Sequence, residues 1–181
     1  MLAFAFVGIF YFMPYFLGKI STVEEYASIV VQQVCGAAGV LAAAYTVKTR
    51  MGRKFSMVIP FCVGGVLSFL FFLADGFAST IVVSSLLTFA VMMGEAALYT
   101  IIPESYSTIM RNTGNGWAIA SAHFGGVISP PIVGLIIGYD WGLFMALVLF
   151  AVLLGLSGVL SVFLRETRGQ LDVSQSLIDF H

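Results

Sequence analysis

The chain has 181 residues, 60% of them hydrophobic and only 9% charged, with a formal net charge of −1 and a mean hydropathy of +1.02. A water-soluble domain carries about 25% charged residues, so this composition excludes an ordinary soluble fold and predicts a multi-pass membrane protein whose first partner is the lipid bilayer. The net charge itself is uninformative, because here the positions of the charges matter and their sum does not; no nucleic-acid partner is expected.

Six apolar stretches follow one another, roughly 2–18, 26–47, 55–74, 77–101, 117–138 and 141–164, each bounded by charge, Gly or Pro. About 20 apolar residues at 1.5 Å per residue cover the hydrocarbon core of a bilayer. The alternating polar-out pattern of barrel strands is missing, which leaves an all-α fold of six transmembrane helices. The short joints predict that sequential helices are antiparallel neighbours. A polar tail, 170–181, follows on the cytoplasmic side.

The first span is short, about 25 Å as a helix, and nothing basic precedes it, so no cleavable signal is expected. A chain that starts almost inside the membrane reads as one half of something larger. Pro14 is expected to bend this span. Cys35 and Cys62 sit in the second and third spans and read as small core residues, with no disulfide or metal site. Gly36 and Gly39, Gly64 and Gly65, Gly125 and Gly126, and Gly134 and Gly138 mark places where helices could approach closely. The last pair has the small-x-x-x-small spacing. Pro130-Pro131 is expected to break or kink the fifth span, and broken helices at mid-membrane depth commonly mark transport pathways.

Lys48, Arg50, Arg53, Lys54, Arg111, Arg165 and Arg168 all fall on one side of a six-span arrangement, with only Lys19 on the other. The opposite side carries Glu24, Glu25, Asp75 and Asp140. The positive-inside bias then puts both termini on the cytoplasmic face, or its equivalent in an organelle. Which membrane is involved stays open.

Glu95 is the only acid deep within a span, where a carboxylate costs roughly 3 kcal/mol on insertion scales and must face protein or water. His123 lies in the first third of the fifth span and can titrate near neutral pH. The sharp expectation is that Glu95 and His123 line one aqueous cavity, for proton coupling or for recognising substrate charge. The bland one is that each hydrogen-bonds within the bundle. Tyr11, Gln33 and Tyr99 are further candidates for the cavity wall. Trp117 and Trp141, at span ends, read as interfacial anchors.

Three joints carry motifs. Arg50-Met51-Gly52-Arg53-Lys54 resembles the Asp-Arg-x-Gly-Arg-Arg/Lys loop of the major facilitator superfamily. Pro103-Glu104-Ser105-Tyr106-Ser107-Thr108, then Arg111 and Gly114-x-Gly116, is similar to that superfamily's Pro-Glu-x-Tyr-Pro-Thr-x-x-x-Arg-x-x-Gly-x-Gly signature. Arg165-Glu166-Thr167-Arg168-Gly169 resembles its closing Pro-Glu-Thr-Lys-Gly. All three fall in order at the span boundaries, and the nearest branch is the organic-ion and synaptic-vesicle-protein type of the sugar-porter-like group. The resemblance implies the carboxy-terminal half of a twelve-span transporter, residues 1–169 forming one six-helix bundle with a 3+3 inverted repeat. It also implies a gating network of ion pairs at one membrane face, built from Arg50, Gly52, Arg53, Glu104, Arg111, Glu166 and Arg168. Thr49, Ser107 and Arg165 depart from the pattern, and losing the acid at Thr49 weakens that network.

No His-Glu-x-x-His, no pair of intramembrane Asp and no phosphate-binding Gly loop occurs, so no catalytic residues, metal ligands or cofactor are expected. The expected function is secondary-active transport of a small organic solute by a half-length protein that needs a second six-helix half, either a second copy or a separate chain. The alternative is a transport-incompetent remnant serving as a structural subunit of a larger membrane complex.

Overall fold

The structure, a computed structural model, describes residues 2–17, 22–49, 52–73, 77–107, 109–139 and 141–163. These form six α-helices: α1 (Leu2–Leu17), α2 (Thr22–Thr46), α3 (Gly52–Phe72), α4 (Phe77–Glu104), α5 (Arg111–Ile137) and α6 (Gly142–Val162). The last five contain stretches long and apolar enough to cross a membrane. In lipid no water can satisfy a stray N–H or C=O, so an apolar chain of this length closes its backbone bonds within helices.

Packing partners are not the sequence neighbours. α2 lies along α4, α3 lies along both α6 and α4, and α1 lies along α5, while α1–α2 and α2–α3 barely touch. Of the sequential pairs expected to pack together, only α3 and α4 do so extensively; α4–α5 and α5–α6 touch more lightly. A short joint decides where the next helix begins, but the faces able to approach closely decide what it packs against.

Two crossings show how. A Cβ on Gly39 would collide with the backbone carbonyl of Phe89, so only glycine lets α2 sit this close to α4. A Cβ on Gly65 would lie 3.1 Å from the Ala151 carbonyl and 3.2 Å from the Gly155 nitrogen, at the crossing of α3 and α6. Gly134 and Gly138, despite their spacing, are both exposed, and a Cβ on Gly138 would meet only carbonyls of its own helix. Hydroxyls bind the pairs as well. Ser68 donates to the Leu147 carbonyl at 3.3 Å, and Ser129 donates to the Phe4 carbonyl at 2.6 Å.

The contacts also give direction. Cys62 faces Gly158 and Ser68 faces Leu147, so α3 and α6 are antiparallel; Gly125 faces Phe4 and Gly126 faces Val7, so α1 and α5 are parallel. These are the directions that successive crossings of a bilayer would have. The main core collects Ala5, Ile9, Phe71, Leu87, Val133 and Phe150 with their neighbours, from every helix except α2. A second cluster of Met57, Phe61, Ala97 and Ile101 joins α3 to α4.

Three local expectations change. The polar joint expected over 102–116 shrinks to 105–110, because α4 runs on to Glu104 and α5 starts at Arg111. Pro103 removes one ladder bond only, and Ser105 resumes it with its N–H on the Ile101 carbonyl at 3.0 Å. Pro130 and Pro131 do not break α5, which is helical throughout 111–137. Ser129 and Val133, buried on either side of the pair, keep that stretch seated. Cys62 is exposed and Cys35 half-buried, so neither is a core residue; both thiols are free.

Candidate functional site

α4 supplies the only carboxylate placed deep in a described helix. Glu95 and Tyr99, one turn apart, share a face, and the Tyr99 hydroxyl donates to the Glu95 carboxylate. That face looks into a cavity of about 210 Å³, bounded by Leu98 and Ile102 from α4, Ala118, Ser121 and Ala122 from α5, and Ala3 from α1. The space exists because α5 presents small side chains at i, i+3 and i+4 opposite the carboxylate. Ser121 turns its hydroxyl proton to the Trp117 carbonyl, at 2.8 Å.

Of the expected wall residues, Glu95 and Tyr99 meet here. His123 does not line the cavity: it is exposed on α5, one residue past Ala122. Gln33 is exposed on α2, and no described residue of that helix lines the cavity. The side chain of Tyr11 lies outside the described residues. Ala3, Ala118, Ser121 and Ala122 were not anticipated; the small residues 118, 121 and 122 were readable as one helical face, but not as one turned toward α4.

At the joint between α4 and α5, Glu104 is the last residue of one helix and Arg111 the first of the next, both half-buried. The buried Nε of Arg111 has no hydrogen-bond partner among the described residues. The ring of Tyr106 lies over Gly114, where a Cβ would come within 2.5 Å of it. The tyrosine and the glycine of the motif are thus complementary in shape. Gly52 opens α3. Arg50, Glu166 and Arg168, and the side chain of Arg53, lie outside the described residues. Thr49, standing where the motif has an acid, donates its hydroxyl to the Thr46 carbonyl at 2.7 Å and so caps the end of α2. Trp117 and Trp141 are 73% and 70% exposed, as rings at a membrane interface would be.

No protein-family model matches the chain. It is 29% identical to the niacin transporter NiaP of Acinetobacter baylyi over 173 residues, 93% of this chain and 39% of that protein. A Bacillus subtilis protein provisionally named as a niacin/nicotinamide transporter is 28% identical over 134 residues, 72% of this chain and 33% of its own length. The major facilitator-type transporter hxnZ of Emericella nidulans is 31% identical over 130 residues, 66% of this chain and 24% of its own. These relatives support a transporter of the major facilitator type. The chain spans two-fifths or less of the length of each, and all three are named as transporters rather than enzymes.

Proposed function

We propose that the chain is one six-helix half of a secondary-active transporter, moving a small organic solute of the niacin kind through the cavity beside Glu95. The carrying observation is that cavity: a half-buried carboxylate at mid-helix, braced by Tyr99 and facing small side chains on α5. An ionisable group at such depth has a functional role by default. The packing pattern supports a 3+3 inverted repeat. Exchanging α1, α2 and α3 with α4, α5 and α6 turns the α1–α5 pair into the α4–α2 pair, leaves α3–α6 unchanged, and turns α3–α4 into α6–α1, all of which are in contact. The motifs favour the carboxy-terminal half, in the sugar-porter-like, organic-ion branch, with Glu104 and Arg111 in the gating network. A second six-helix half, a second copy or a separate chain, completes the pathway.

Thr49 favours the other reading, a structural subunit of a larger membrane complex, because its hydroxyl caps α2 where an acid would take part in gating. Reconstitution of the chain in vesicles, together with the copies or chains that purify with it in mild detergent, and with radiolabelled niacin, separates the two. A transporter accumulates label down an imposed proton gradient and loses at least about tenfold of the rate with Glu95→Gln. A structural subunit shows no accumulation above empty vesicles and co-purifies with unrelated membrane chains in mild detergent.

A further inference from the structure

Where α2 and α4 pack together, the contact carries polar side chains as well as glycines. The two helices run parallel. A Cβ on Gly36 would lie 3.1 Å from the Thr88 methyl and 3.2 Å from the Met92 Cγ, while Val47, just past the end of α2, packs against Ala97 and Ile101. At about 100° per residue, Gln32, Gly36 and Gly39 fall within about 60° of one another on α2, and Ser85, Thr88 and Met92 do the same on α4. Gln32 stands about one turn before Gly36, and Ser85 stands as far before the level of Thr88 and Met92. The register therefore sets Gln32 and Ser85 opposite each other on facing sides.

Both are sealed from the surroundings, Gln32 at 4% and Ser85 at 8% exposure. Yet the Gln32 Nε2 and the Ser85 Oγ have no hydrogen-bond partner among the described residues. Thr88, also buried, continues the polar face one turn on. A polar group shut into an apolar bundle is costly until it is matched. The amide nitrogen only donates, so whatever lies against it must accept, which excludes a metal cation. Neither helix contains a Lys, Arg or His to balance an anion. A small neutral molecule that both accepts and donates is left, and water is the one at hand.

We propose that one buried water bridges Gln32 and Ser85 and ties α2 to the helix that carries Glu95. It accepts from the Gln32 Nε2 and donates to the Ser85 Oγ, so that both groups are matched. A water takes about 30 Å³, which the long Gln32 side chain makes available by turning its amide, with neither helix displaced.

The test is solid-state NMR of the full chain in lipid bilayers, following magnetisation that passes from water to the Gln32 side-chain amide. Gln32→Leu removes that signal and so assigns it. Transfer to Gln32 is expected at least about threefold faster than to the backbone N–H of Ala43, a residue equally buried on α2. Ser85→Ala, which takes away one partner of the water, should slow the transfer to Gln32 at least about twofold. Equal transfer to Gln32 and Ala43 in the wild-type chain, as a dry direct bond between Gln32 and Ser85 would give, overturns the proposal whether or not the variants fold. Fast transfer that is unchanged in Ser85→Ala overturns it too, because the water at Gln32 is then not the one shared with Ser85.

Discussion

Ser129 ties together two helices that three others separate along the chain. Its hydroxyl reaches the Phe4 carbonyl at 2.6 Å, and the residue is fully buried. Interhelical side-chain hydrogen bonds in membrane proteins contribute about 0.6 kcal/mol on average and up to about 1.7 kcal/mol. Ser129→Ala should therefore lower stability by that amount, measured by reversible unfolding in mixed micelles, with the α1–α5 contact loosening first. Glu95 and Tyr99 could be joined from sequence alone, since four residues apart on a helix is a local relation. Ser121 could not, because its place in the wall depends on α5 lying against α4. His123, two residues further, sits about 200° round the helix from Ser121, which is why it faces away.

Among the helices, glycine spacing proposes crossings and packing selects among them. Gly39 has the backbone of Phe89 against it, which cannot swing aside as a side chain can. Gly39→Leu should cost about 1 to 3 kcal/mol, the range for overpacking, and should be seen as loss of the monodisperse peak in size exclusion. Gly134→Leu, on an exposed stretch of α5, should leave that peak unchanged. The two glycines look alike in sequence; an unchanged peak with Gly39→Leu would refute the α2–α4 crossing. The prolines of α5 were misleading for a related reason. A Pro pair removes two ladder bonds, but whether a helix stops there depends on what holds it on either side, and α1 does so through Ser129.

For the molecule as a whole, the arrangement of basic residues predicts sidedness. In a background with Cys35 and Cys62 replaced, Lys48→Cys and Met110→Cys should react with an impermeant thiol reagent from the cytoplasmic side only. Asp75→Cys and Asp140→Cys should react only from the other. Labelling of Lys48→Cys and Met110→Cys from opposite sides would sink the six-crossing topology. The parallel run of α1 with α5 and the antiparallel run of α3 with α6 agree with that topology. Both are what the sequence predicts if each apolar stretch crosses before the next polar joint.

By itself the sequence determined the solvent, the helices and the joints with their motifs, because apolar length, charge position and turn residues act within a few residues of one another. It also singled out Glu95, since an acid in an apolar helix is costly wherever the helix packs. Only the tertiary structure decided that α2 pairs with α4 and α3 with α6, that α5 passes through its prolines, and that Ser121 rather than His123 faces the carboxylate. Those outcomes depend on which backbones can approach within a side chain's width, and that is settled between helices, not along them.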